Sequence, residues 1–239
     1  MQRKGHIEVP SCNECKSLGE HHLFCGLSQN ELTTLSEEKG GNFYKKGQVV
    51  FYEGNRGQGL FCIYKGKVKV HKLGREGKEQ IVRFAKAGDF LGYRSLLCNE
   101  PYHATATALE DTVICYLPKS KFLEILQNSH SLSFKTIQLL TRDLKESEKK
   151  IVNITQKPVI ERIAEALLIL KEKFGLKEDH KTLNVILTRR EIGDLAGVTT
   201  ETTIRTLSEM NKKGVLNLCG KQIELTDVTR LINLANIDE

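Results

Sequence analysis

A change of period part-way along the chain constrains its fold more than any other feature. From about Phe43 to Leu117 the apolar residues come in short runs, QVVFYE, LFCIY, KVKVHKL, QIVRFA, ATATAL and TVICYL, punctuated by Gly54, Gly59, Gly66, Gly74, Gly77 and Gly88. Many short strand-like runs separated by glycine turns predict a compact all-β sandwich or barrel. From about Ser120 the spacing becomes helical. Ile137, Leu140, Leu144, Ile151 and Ile154 fall on a three-to-four spacing, with Ser147 filling the one slot that is not apolar. Lys and Glu occupy the other faces, and a stripe this narrow suits a partner helix. The alternative is a helix packed on its own β-unit. Lys157-Pro158 ends the run, because proline disfavours helix at the residue before it and is welcome at a first helical position. A domain boundary is expected there.

Beyond the proline, PVIERIAEALLILKEKFG reads as an amphipathic helix ending at Gly175. TRREIGDLAG follows, with Thr188 three residues before Glu191 as in a capping box and Gly197 as the stop. VTTETTIRTLSEMNKKG comes next, capped by Thr199 and stopped by Gly214. Two short helices joined across a glycine turn predict a helix-turn-helix, and VLNLCGKQIEL predicts a two-stranded wing turning at Gly220-Lys221. Ahead of the β-unit lie a cysteine-bearing arm and a short amphipathic segment, LSQNELTTLSEE. Three parts are therefore expected: arm and β-unit over 1–130, a long helix over 131–157, and a winged helix-turn-helix over 158–239.

The formal net charge of +6 is not concentrated on the helix-turn-helix, where residues 158–239 hold 12 basic and 13 acidic side chains. The excess lies earlier and includes KGKVKVHK, read as the wet face of a strand. The longest apolar run, ALLIL at 166–170, is too short to cross a bilayer, and the polar opening lacks an export signal, so a cytoplasmic protein is expected. Seven scattered cysteines argue against a disulfide framework and leave reduced thiols or metal ligands. No phosphate-binding Walker loop, His-Glu-x-x-His or nucleophile-elbow serine supports an enzyme.

GVTTETTIR, at 197–205, crowds mediocre helix formers at the front of a helix. In a helix-turn-helix the first residues of the second helix enter the major groove of double-stranded DNA while flanking groups hold phosphates. Thr188, Thr199 and Thr202 can bond phosphate oxygens at positive helix ends. Arg205 can present its fork to guanine O6 and N7, and Glu201, one turn earlier, can accept from cytosine N4. Arg189, Thr200 and Ile204 complete the expected contact set. The bland alternative for Glu201 and Arg205 is an ion pair on a wet helix.

KKGQVVFYEGN, GDFLGYRSLL, the helix-turn-helix segment TRREIGDLAGVTTETTIRTLSEMNKKGVL and GKQIEL, in this order, resemble the Crp/Fnr family of bacterial transcription regulators over nearly the whole chain. The resemblance implies an α+β architecture: an N-terminal cyclic-nucleotide-binding-like β-roll (jelly roll), a long dimerisation helix and a C-terminal winged helix-turn-helix. It implies a homodimer that binds DNA and contacts RNA polymerase, with Glu201 and Arg205 reading the G·C pair of a TGA half-site. Thr200 stands where the cyclic-AMP-binding branch carries a guanine-reading Arg, so the outer guanine of that site is not expected to be read.

Two effectors follow from the resemblance. The cyclic-nucleotide branch holds phosphate with an Arg-Ser pair late in the GDFLG cassette and ribose with a Glu just after it. Here Tyr93 follows Gly92, Tyr102 and His103 replace the pair, and Arg94-Ser95 lies too early, so cyclic AMP is not expected. The oxygen-sensing branch ligates a four-iron, four-sulfur cluster through three arm cysteines and one β-roll cysteine. Cys12, Cys15, Cys25 and Cys115 match those positions, although nine residues separate Cys15 from Cys25. A zinc site of Cys12, Cys15, Cys25 and one of His21 and His22 is chemically reasonable, as is no metal at all. Cys62, Cys98 and Cys219 read as structural.

Overall fold

The structure, a computed structural model, describes residues 11–12, 23–24 and 27–236. Its contacts divide it into two units, Met1–Lys72 with Phe84–Leu144, and Leu73–Arg83 with Lys145–Glu239.

In the first unit, Ser28 caps helix α1 (Gln29–Glu38): its hydroxyl accepts from the Glu31 N–H, and the Glu31 carboxylate accepts from the Ser28 N–H. There follow β1 (Gly40–Tyr44), β2 (Val49–Phe51), β3 (Gly59–Lys65), β4 (Lys67–Leu73), β5 (Glu79–Lys86), β6 (Phe90–Leu91), α2 (Tyr93–Cys98), β7 (Thr105–Ala108) and β8 (Thr112–Pro118). Then come α3 (Lys119–Asn128) and the long α4 (His130–Gln156). The strands form two four-stranded sheets, β1-β8-β3-β6 and β2-β7-β4-β5. Alternation along β3 and β8 sorts their side chains between two apolar clusters. Phe61, Ile63 and Ile114 pack with Val68, Val70 and Ala106 inside the sandwich. Leu60, Cys62, Cys115 and Leu117 point the other way and pack with Leu32, Leu35, Phe122 and Leu132 from the helices.

The strand-like runs of the sequence are found, but KGKVKVHK is not simply a wet face. Lys69 is 8% and His71 5% exposed, so the strand is buried on both sides there. Their cross-strand partners Thr107 and Thr105 are polar, and His71 Nε2 lies 3.1 Å from the Thr107 hydroxyl. That polar row lets a basic alternation sit inside.

In the second unit, α5 (Val159–Phe174) begins just after Pro158 and packs against α6 (Arg189–Ala196), α7 (Thr200–Lys212) and, after the wing strands β9 (Leu216–Cys219) and β10 (Gln222–Leu225), α8 (Val228–Ala235). Ile163, Leu167, Leu170, Ile192, Leu207, Met210 and Leu231 are buried. At the break before α5, Lys157 Nζ donates to the Glu165 carboxylate at 3.0 Å and to the Ala235 carbonyl at 2.8 Å. Glu165 is 4% exposed, so its charge is compensated within the unit.

Lys150 Nζ donates to the Ile81 carbonyl, and burial pushes its ammonium down from 10.5 to about 8. Between those values the unfolded chain binds the proton and the folded chain does not, so stability contributed by this group rises with pH across that window. Lys150→Met should flatten that rise, which thermal melts between pH 7 and 10 will show.

Candidate nucleic-acid interface and sensory cysteines

The helix-turn-helix is built by capping and by one tight crossing. Thr188 closes a capping box with Glu191 at the start of α6, and Gly197 ends that helix at φ 66°, a left-handed conformation that favours glycine. Thr199 caps α7, accepting from the Thr202 N–H. Where the two helices cross, a Cβ on Gly193 would sit 2.7 Å from both the Thr203 hydroxyl and the Val198 carbonyl, so only glycine permits the approach. Thr203 is fully buried at this crossing, and Thr206 farther along α7 is buried too. Arg162 of α5 donates to the Ala196 and Gly197 carbonyls at 3.2 and 2.9 Å, and Gln80 donates to the Asp194 carbonyl, so the end of α6 is held from two sides.

This geometry divides the threonines by task. The Thr188 hydroxyl both accepts from Glu191 N–H and donates to its carboxylate, and the Thr199 hydroxyl donates to Thr202 Oγ1 while accepting Thr202 N–H. Both are occupied in capping. The Thr202 hydroxyl accepts from Thr199 and keeps its own proton to donate. Thr200 and Thr202 are half-buried, whereas Glu201, Ile204 and Arg205 are exposed on the same end of α7. Among the described residues no ion pair joins Glu201 to Arg205. Arg189 donates to the Gly220 carbonyl at 3.0 Å, tying α6 to the wing turn, and burial pushes its guanidinium below the ordinary value.

On α4 the predicted stripe faces outward. Ile137, Leu144 and Ile151 are 59%, 60% and 64% exposed, and Ile154 and Phe134 are exposed too. Phe134, one helical step ahead of the stripe, extends it beyond the spacing that the sequence predicts. Leu140 differs, packing partly against the β-sandwich cluster.

The cassette that would hold a cyclic nucleotide is filled by aromatic rings. Tyr102 stacks on Phe51 with ring centroids 4.1 Å apart, and Phe51 stacks on Phe61 at 5.2 Å. The Tyr102 hydroxyl accepts from Gln58 N–H and donates to the Gly59 carbonyl, and His103 lies on the surface, 3.0 Å from Glu100. The Tyr93 hydroxyl and Arg94 both bond Asp143, so Arg94 is committed to a carboxylate.

Of the candidate metal ligands, Cys15, Cys25, His21 and His22 lie outside the described residues. Cys12 and Cys115 are buried and line one cavity, together with Cys62, Phe24, Leu35 and Lys39. Soft thiol donors in an apolar shell with one ammonium suit iron and sulfide in kind. Among the described residues no three His, Cys, Asp or Glu groups close around a single ion. Cys98 and Cys219 are exposed, and a hydrogen bond to Glu224 raises the Cys219 thiol above its ordinary value.

Comparison with known proteins matches residues 42–129 to a cyclic nucleotide-binding domain and residues 161–234 to a Crp-like helix-turn-helix domain. The chain belongs to the Crp/Fnr family. Among its Crp/Fnr relatives, the transcriptional activator protein anr of Pseudomonas aeruginosa is 27% identical, over 94% of this chain and 92% of that protein. Electron transport regulator A of Shewanella oneidensis is 29% identical, over 94% and 90%. FixK2 from Bradyrhizobium japonicum superposes with a TM-score of 0.76 at 25% identity, covering 84% of this chain and 99% of that one. The fold is that of Crp/Fnr structures, and these relatives are transcription regulators, a non-enzymatic family. No helix among the described residues is long and apolar enough to cross a membrane.

Proposed function

We propose that this Crp/Fnr-type regulator acts as a homodimer on a palindrome of TGA-containing half-sites about one helical turn apart, and that it responds to oxygen. The carrying observation is that Glu201 and Arg205 stand exposed at the front of α7 without pairing to each other. Their carboxylate and guanidinium are offered to base edges, where Arg matches guanine O6 and N7 and Glu matches cytosine N4. Thr202, with a hydroxyl proton to give, is the best placed of the threonines for a phosphate. Supporting the dimer is the exposed apolar stripe on α4, which a second copy of the same helix would cover in matching register. RNA polymerase is the further partner that the family implies.

Cys12, Cys15, Cys25 and Cys115 would hold a four-iron, four-sulfur cluster, which when bound supplies an oxygen-labile link between arm and sandwich. With such a cluster bound, arm thiolates tied to β8 would fix the arm on the sheet, favour pairing of α4, and hold two recognition helices at operator spacing, and its loss in oxygen would release DNA. Related proteins named anaerobic regulatory protein and electron transport regulator A support a redox-linked signal.

Selection from random duplexes with protein purified without oxygen tests both parts. The expected product is an inverted pair of TGA motifs, retained less well after exposure to air. An unpaired or random product overturns the DNA reading; colourless, iron-free protein that selects the same palindrome overturns the cluster.

A further inference from the structure

The outer stripe of α7 carries one large apolar side chain among polar ones. At about 3.6 residues per turn, Glu201 stands about 40° and Ile204 about 100° around the helix from Arg205, all on the exposed side. The side chains that α7 buries are Thr203, Thr206, Leu207 and Met210, so Ile204, 48% exposed, lies outside the core. Helix propensity does not call for it either, because a β-branched residue is a mediocre helix former. A lone exposed isoleucine is ordinary on a protein surface, and what distinguishes this one is its company. Around the helix the order runs Arg205, Glu201, Ile204, Thr200, so a charged edge passes into two β-branched side chains four residues apart.

The chemistry of the major groove narrows what such a side chain can meet. Every base pair presents donors and acceptors there, but the groove has one apolar group, the 5-methyl of thymine. Against any other base edge, isoleucine would strip water from a polar atom without replacing the hydrogen bond, which costs free energy. Against the methyl it removes two apolar surfaces from water at once. Isoleucine in a helix keeps nearly one χ1 rotamer, so the group is held in place beforehand and loses little freedom on contact. In a TGA half-site both neighbours of the G·C pair are T·A pairs, and each offers one thymine methyl.

We propose that Ile204 is a specificity residue that reads the 5-methyl of a thymine next to the G·C pair taken by Glu201 and Arg205. This rests on the DNA reading above. One face of α7 then meets three bases with three chemistries: a guanidinium fork for guanine, a carboxylate for cytosine and hydrocarbon for thymine.

The test compares wild type, Ile204→Ala and Ile204→Val, purified without oxygen, on operator duplexes carrying thymine or uracil at each of the two positions in both half-sites. Uracil lacks the methyl and keeps the pairing edge. At one position it should weaken wild-type binding about fourfold per half-site, the effect of one buried methyl group. Ile204→Val should keep that preference, and Ile204→Ala should bind both duplexes alike. Wild type indifferent to uracil at both positions, or Ile204→Ala with the wild-type preference, overturns the proposal. Arg205→Ala on the same duplexes separates this from the reading beneath it. Lost guanine discrimination beside indifference of the wild type to uracil removes the thymine contact alone, whereas a uniform loss across all duplexes removes the DNA reading as well.

Discussion

A chain carrying Leu144→Lys and Ile151→Lys is expected to be monomeric and to bind operator DNA about a hundred- to ten-thousand-fold more weakly, the avidity normally gained by linking two half-site contacts. Both side chains are more than half exposed on α4, so the substitutions remove little from the chain's own core. Burying a leucine or isoleucine stabilises by about 1.5–3 kcal/mol, and a symmetric helix pair buries each position twice. The lysines would instead place four ammonium groups in one desolvated seam, where like charges repel and water is excluded. Sedimentation should show the monomer, and dichroism should show helix content preserved. A dimer with unchanged operator affinity would mean that the chains pair elsewhere.

Arg205→Ala should weaken specific binding by about 1–3 kcal/mol, roughly 5- to 150-fold, and relax discrimination at one guanine. The signature is selectivity rather than affinity alone. A guanidinium that reads a base alters the ratio between operator and mismatched duplex, whereas one that only touches phosphate weakens all duplexes alike. Glu201→Ala should relax the partner cytosine. Binding isotherms on operator and on single-base variants, at one salt concentration, separate the cases. A uniform loss across all sequences would place Arg205 on the backbone and remove the basis for the TGA assignment.

Much of this organisation is legible in the chain because it is local. The capping box of Thr188 and Glu191, the stop at Gly197 and the wing turn at Gly220 each depend on a few neighbouring residues, and the structure has them where spacing predicts. The α4 stripe is legible for the same reason, since periodicity alone reports a face. Features set by distant residues are not. Burial of Lys69 and His71 depends on β7, some three dozen residues later, and from the strand alone an alternating basic run reads as wet. That Cys62 and Cys115 face each other depends on the β3-β8 register, which neither strand shows alone. The threonines of α7 were legible as a cluster but not by task, because capping, crossing and contact are distinguished only by where each hydroxyl points.

The crossing at Gly193 separates aiming from reading. With no room for one more carbon between α6 and Thr203, the angle at which α7 is presented is rigidly set, and mutation there breaks the element before it can retune it. Under the proposed DNA reading, a change of target sequence would come through Thr200, Glu201, Ile204 and Arg205, which are not part of that crossing. A lineage of such regulators can thus diversify its operators while the scaffold stands still.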